Sequence, residues 1–462
     1  MNNVLLIDFG STYTKITAVD TEHETVLGTA RGITTVETDI MDGLNQALDK
    51  LFQHTGKLEF AKVLGCSSAA GGLKMVAVGL VPELTAEAAK RAALGAGAKV
   101  LGVFGNELSE YEIEDIAALK PDIILLAGGT DGGNKEVILH NAKMLNTLGQ
   151  DVPVVVAGNK SVTPAVVRIL SETMTEVRHT ENVMPKLNEL NIGPARETIR
   201  DIFLKRIVEA KGLNRANKFV DKMVMPTPAA VLTAAELLSV GTHNEAGLGD
   251  LMVMDIGGAT TDVYSIAKGD PTKSNVAVRG LPEPFAKRTV EGDLGMRYSA
   301  EALLKASGAR MIADYAGTSE TDVEDYVVKV SKEIEYLPQD SSEEELEIAM
   351  GKACTRVSAD RHVGQLETVY TLYGNAFVQV GKDLTAVKTV VGTGGVIINN
   401  SKPEEILKGI VFDEVSPNVL KPQQPEFLID QDYIMASMGL LGGEYPDLAV
   451  RLMKKYFVRR EQ

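Results

Sequence analysis

Basic residues are in short supply here: 47 Lys and Arg stand against 63 Asp and Glu, a net charge of −16. That balance argues against general binding to nucleic acid or to an anionic membrane, because both need Lys and Arg to displace counterions. Cysteine is scarcer still. Only Cys66 and Cys354 occur, far apart and without a pairing pattern, which suits a reducing compartment and makes the cytoplasm the expected location. The histidines His23, His54, His140, His179, His243 and His362 are scattered without H-x-x-E-H or similar spacing, so no built metal site is expected from them. A G-x-x-x-x-G-K-[ST] loop is absent, which excludes a P-loop nucleotide site. Long hydrophobic runs are missing as well. The most apolar stretch, residues 61–104, is broken by Lys74, Glu83, Glu87, Lys90 and Arg91, so no transmembrane segment is read. The opening Met1-Asn2-Asn3-VLLID has neither the basic start nor the apolar length of a signal peptide.

What the chain has is core. With 462 residues, 44% of them hydrophobic, it should divide into two to four units at roughly 100–200 residues each. Short β-prone apolar runs alternate with helical patterns from end to end, the mark of α/β layering. Strands are expected at 4–7, 15–19, 62–65, 99–104, 122–127, 152–157, 251–255, 261–267 and 389–391, and helices at 41–52, 85–93 and 135–148. A further amphipathic helical region is read over 194–224, ending before Pro226. The run Glu343-Glu344-Glu345 reads as a solvated helix start.

One pattern occurs twice. LLIDFGSTYTKITAVD (5–20) and LMVMDIGGATTDVYSIA (251–267) each carry a strand ending in Asp, a Gly-led turn with small hydroxyl residues, and an apolar return strand. Gly10, and Gly257 with Gly258, allow close backbone approach, so that exposed N–H groups cradle phosphate oxygens and Ser11, Thr12 and Thr260 add hydroxyl donors. Asp8 and Asp255 would then face a cation. A carboxylate beside a polyphosphate is favourable only with Mg²⁺ between them. A third element, KTVVGTGGVIINN (388–400), places Gly392, Gly394 and Gly395 after a buried strand, where a base and ribose could lie against the backbone. Lys15, on the first return strand, reads as a phosphate contact or equally as a solvated flank. Taken singly, each motif is an ordinary hairpin or strand-to-helix turn.

In this order the three motifs resemble the sugar kinase, Hsp70 and actin superfamily, whose two like-folded lobes close around Mg-ATP. The second copy is similar to the phosphate loop D-[IL]-G-G-G-T-x-D at Asp255, Gly257, Gly258, Thr260 and Asp262, with Ala259 in place of the third glycine. VMPTPAAVLTAAELL (224–238) is similar to the segment E-P-T-A-A-A, matching at Pro226, Thr227, Ala229 and Ala230. Met225 stands where that family has the Glu that helps position the attacking water. A thioether takes no proton, so slow turnover or a binding-gated switch fits better than fast hydrolysis. VEGDLGMRYSAEALL (290–304) resembles the superfamily's G-x-D-x-D region and brings in Glu291 and Asp293, with helix capping as the equal alternative.

The resemblance implies two ribonuclease H-like lobes flanking an ATP cleft. The first would span 1–250, with an inserted βαβ region at about 105–190, and the second 251–462. It makes Asp8, Asp255 and Asp262 the catalytic residues and Asp8 and Asp255 the Mg²⁺ ligands. The nucleotide contacts would be Gly10, Ser11, Thr12, Lys15, Gly257, Gly258, Thr260, Gly392, Gly394 and Gly395.

A longer stretch narrows the family. GCSSAAGGLKMVAVGLVPELTAEAAKRAALGAGAKVLGVFGNEL (65–108), with DFGSTYTK and PTPAAVL, resembles the MutL/GlmL family, and the likeness runs to GLLGGEYPDLA at 439–449. These are accessory proteins of adenosylcobalamin-dependent glutamate mutase and related aminomutases, not the mismatch-repair protein of the same name. The resemblance implies a slow, chaperone-like ATPase that binds mutase subunits and promotes exchange of damaged cobalamin. A homo-oligomer is compatible with it. The glycine-rich run at 124–134 reads first as a structural turn, with contact to phosphate or a partner loop as the alternative. No D-x-H-x-x-G motif is present to hold cobalamin.

Three other readings stay open: a small-molecule kinase of the superfamily, an iron–sulfur activator of a radical dehydratase, and an actin-like filament former. The activator needs two suitably placed cysteines. Cys66, among Ser67, Ser68, Gly71 and Gly72, reads rather as a buried thiol than as a nucleophile.

Overall fold

The computed structural model describes residues 2–10, 12–34, 40–68, 73–209, 219–371 and 374–460. Ser11, Gly71 and Gly72 lie outside the described residues. By contacts the chain forms two units. One comprises 1–234, 280–282 and 436–449, and the other 235–279, 283–435 and 450–462.

The first unit begins with three antiparallel strands, β1 (Asn3–Phe9), β2 (Tyr13–Asp20) and β3 (Thr25–Ile33). The helix Ile40–Thr55 follows, burying Leu44, Ala47, Leu48 and Leu51 at helical spacing. It carries the chain across to β4 (Lys62–Ser67), which pairs with β1 in parallel. A second sheet, all parallel, is then built from β5 (Lys74–Val78), β6 (Lys99–Phe104), β7 (Ile123–Leu126), β8 (Val154–Val156) and β9 (Val177–His179), in the order β6-β5-β7-β8-β9. The chain returns to the first sheet as β10 (Lys222–Pro226), parallel to β4.

This return corrects the helix expected over 194–224. The helix is Gly193–Glu209, and 222–226 is strand. Pro226 is not a breaker just beyond a helix. It is instead the last residue of an edge strand, where a missing N–H costs no ladder bond.

The second unit has β11 (Leu251–Ile256) and β12 (Thr261–Ile266), then β13 (Val276–Arg279), β14 (Ala286–Glu291), β15 (Gln365–Thr371), β16 (Gly374–Val380), β17 (Thr389–Thr393), β18 (Glu426–Ile429) and β19 (Val458–Arg460). Three of these, β13, β16 and β15, form a small sheet of their own; the others run β14-β12-β11-β17-β18-β19.

Set beside one another, the orders β3-β2-β1-β4-β10 and β14-β12-β11-β17-β18 are the same, with two antiparallel pairs followed by two parallel ones in each. The repeat read in the sequence is therefore a repeat of whole sheets. Each rests on its own core: Leu5, Ile7, Ile16 and Leu44 in the first unit, and Met252, Met254, Val263, Val390 and Phe427 in the second. Among the described residues no helix is long and apolar enough to cross a membrane.

Candidate functional site

Each sheet ends in a carboxylate at the same place, and strand register says which neighbours it meets. In the first unit Asp8 pairs across β1–β2 with Lys15 and across β1–β4 with Cys66, which in turn pairs with Met225 of β10. In-register neighbours share a face, so the row reads Lys15–Asp8–Cys66–Met225. In the second unit Asp255 pairs with Asp262 of β12 and with Thr393 of β17, whose hydroxyl donates to Asp430 Oδ2 at 2.9 Å. That row reads Asp262–Asp255–Thr393, with Asp430 joined to it through the Thr393 hydroxyl.

The turns match as well. Gly10 N–H donates to the Tyr13 carbonyl at 3.2 Å, and Gly257 N–H to the Thr260 carbonyl at 2.9 Å. A β-carbon on Gly10 would lie 2.7 Å from that Tyr13 oxygen, too close for any other residue. In the second turn the carbonyls of Gly257 and Gly258 accept from the N–H groups of Met296 (3.2 Å) and Arg297 (2.8 Å), and that of Ala259 from the Ser299 hydroxyl (2.6 Å). Thr12 is exposed, and its carbonyl accepts from Thr34 N–H.

Asp8 is held from three sides. Lys15 Nζ donates to Oδ2 at 3.2 Å, and the Thr227 hydroxyl to Oδ1 at 2.6 Å; the Cys66 thiol points at Oδ1 from 3.6 Å. Lys15 thus sits on a carboxylate, a third outcome beside the two read from the sequence. Burial first, and then the charge of Asp8, push the Cys66 thiol up, so it stays protonated and unreactive. Cys354 is buried too, beside the Thr261 hydroxyl at 3.0 Å. Neither cysteine is presented at a surface where a cluster could bridge two chains.

Asp255 is reached by the glycine motif. Gly394, at φ +89°, passes so close that a β-carbon would lie 2.4 Å from Asp255 Oδ1 and 2.6 Å from the Ile256 carbonyl oxygen. Gly392 has a different job: it lies inside β17, where its missing side chain makes room for Leu407 and Ile397. Gly395 opens the short helix Gly395–Ile398. Asp262 is bound by Arg288 of β14, whose Nε donates to Oδ1 at 2.7 Å with Nη2 2.6 Å from the same oxygen. Glu291 and Asp293, expected either in the site or as helix caps, are both tied to Arg361, at 2.6 and 2.9 Å.

Thr227, within PTPAA, and Arg288 and Asp430 are neighbours of the site to which sequence spacing gives no role. Asp430 had a legible signal. FLID at 427–430 repeats the apolar run ending in Asp of LLID and VMD. Its carboxylate accepts from the N–H groups of Ile434 (2.8 Å) and Met435 (3.0 Å), capping the helix Met435–Gly442. Burial pushes it up to about 7, against the pull of these hydrogen bonds, and the charge of Asp255 adds to the rise.

The glycine-rich run at 124–134 contains a turn held by residues from outside it, Asn159 and Asn182 among them. Asn159, fully buried, accepts from Gly132 N–H at 3.1 Å and donates to the carbonyls of Gly133 (3.1 Å) and Asn134 (3.0 Å).

A family model described as MutL protein matches residues 4–457. The chain belongs to the MutL family. It is 56% identical over 461 residues to Protein MutL of Clostridium tetanomorphum, covering 99% of this chain and 100% of that one. Solved structures similar to this MutL chain include nucleotide-free acetone carboxylase, at 13% identity and a TM-score of 0.40 over 95% of this chain and 69% of that one. Gluconate kinase from Lactobacillus acidophilus is another, at 10% identity and a TM-score of 0.33 over 99% and 92%. Xylulose kinase from the same organism stands at 10%, 0.35, 100% and 93%. With its duplicated mixed sheets, this chain is an α/β protein that divides into two units.

Proposed function

We propose that this chain binds Mg-ATP through the turns after β1 and β11 and hydrolyses it slowly, as a reactivating accessory protein of an adenosylcobalamin-dependent aminomutase of the glutamate mutase kind. The observation that carries the reading is the repetition of one geometry: Asp8 with the Gly10–Tyr13 turn, and Asp255 with the Gly257–Thr260 turn, at the same corner of two like-ordered sheets. With the carbonyls of 257–259 committed to residues 296–299, what the second turn offers a ligand is N–H, the group that suits phosphate.

The residues present fit magnesium in one manner only. Among the described residues no group of three or more His, Cys, Asp or Glu could hold a metal alone. Hard carboxylate oxygens at turn ends suit an ion that keeps several waters and arrives with the nucleotide, and Asp8 and Asp255 are the residues to hold it. When bound it would neutralise charge developing on the phosphates. Gly394 and Gly395 would border the adenosine, Thr12 and Thr260 would add donors, and Lys15 would offer its charge to a phosphate.

Met225, in the row beside Cys66, stands at the position to which the resemblance gives a water-positioning Glu, and a thioether cannot serve as general base. That supports a slow cycle, in which ATP and ADP favour arrangements with different affinity for a mutase. The test uses purified mutase loaded with inactive hydroxocobalamin. Adding this chain with Mg-ATP should release the cobalamin, seen as its absorbance passing a size-exclusion filter. Absence of ATP-dependent release would overturn the reactivating role.

A further inference from the structure

Asp255 and Asp262 stand directly opposite each other on adjacent strands, and like charges so placed repel. Both flank the turn at 257–260. Arg288 enters from β14, two residues along from the partner of Asp262, with its side chain only 4% exposed and its guanidinium lying 6.0 Å from the Tyr264 ring centroid. Its Nε and Nη2 meet the same oxygen of Asp262, at 2.7 and 2.6 Å. A cation sealed there acts through a poorly screened medium.

Resting on the proposed Mg-nucleotide site, we infer that Arg288 is a positioning residue that withdraws Asp262 from the cation and reserves the cation-facing role for Asp255. Arg288 thereby offsets the charge of one of the two carboxylates that flank the turn. A phosphate chain then meets little repulsion before its cation is in place. Asp262, which the family resemblance makes a catalytic residue, becomes the fixed anchor of the returning arm of the turn.

The experiment measures ADP affinity by calorimetry twice, in EDTA and in excess Mg²⁺, and reads the ratio of the two constants. In Arg288→Met the uncompensated Asp262 repels bare phosphate and assists the cation. The ratio in favour of Mg-ADP should rise about tenfold, the scale of one added charge at a few ångströms in a partly screened site. Arg288→Met with Asp262→Asn restores the balance, and the ratio should return to that of the wild type. Arg288→Lys should keep it. Should Arg288→Met fail to fold, Asp262→Asn alone carries the test: an unopposed guanidinium lowers the ratio, a change of opposite sign. Equal losses with and without Mg²⁺, or no return in the double variant, would overturn the inference and leave the nucleotide site standing. Failure of the wild type to bind ADP under either condition would overturn both.

Discussion

At the scale of single residues, the site is made by close approaches that tolerate no alternative. Gly394 has a positive φ, and an added β-carbon would strike Asp255 and the Ile256 backbone. Gly394→Ala should therefore cost about 3 kcal/mol or more in urea unfolding, from backbone strain and overpacking together. Thr227 supplies the 2.6 Å hydrogen bond to Asp8. Thr227→Val keeps the shape and removes the hydroxyl, with an expected loss of about 1.5–3 kcal/mol, the usual worth of a bond to a charged acceptor; Thr227→Ser should recover most of it. His362 is fully buried between the Ser265 and Thr289 hydroxyls, each at 2.8 Å. Burial first, then Lys287 and Lys382, hold it well below the usual imidazole range. The folded protein keeps this ring neutral while the unfolded chain protonates it near 6.5, so its contribution is complete above that pH and is lost as pH falls below it. The slope should be roughly 1.4 kcal/mol per pH unit, and His362→Gln should flatten it in melting experiments run across pH 5 to 7.

At the scale of elements, strand ends and helix starts are joined by side chains remote in sequence. Asp430 closes β18 and caps the helix Met435–Gly442 while holding Thr393 at the end of β17. Burial raises its carboxyl to about 7 in the fold, against 3.8 for an ordinary Asp. An acid raised in this way favours the folded state fully below the lower value, and that advantage disappears as pH rises through the higher one. Unfolding free energy should therefore fall between pH 4 and 7 by about 1.4 kcal/mol per unit from this group. That decline should be missing in Asp430→Asn, whose melting temperature checks it.

Much of this level was legible. The hairpins of β1–β2 and β11–β12 follow from local chemistry, an apolar run, an Asp and a Gly-led turn, and need no distant partner. By contrast, β10 was read as helix because its apolar residues lie next to a real helical stretch; only pairing with β4 decides in favour of strand. Thr227 lies 219 residues from Asp8 and Arg288 lies 26 from Asp262. No local spacing announces contacts of that span.

At the scale of the whole molecule, one sheet plan has been used twice and then differentiated. The first copy compensates its carboxylate with Lys15 and Thr227, while the second sets Asp262 and Asp255 along one row, joins Asp430 to it through Thr393 and counters Asp262 with Arg288. The sequence disclosed the doubling because both copies keep Asp and Gly at corresponding places. It could not disclose the difference in charge, which depends on β14 and β18 arriving beside β12 and β17. The central claim is that both carboxylate-tipped turns serve one magnesium nucleotide. Calorimetric titration of Mg-ATP into the wild type, Asp8→Asn and Asp255→Asn tests it most directly. Saturable binding that weakens about tenfold or more in each variant is the predicted result, and binding unchanged by either substitution would contradict it.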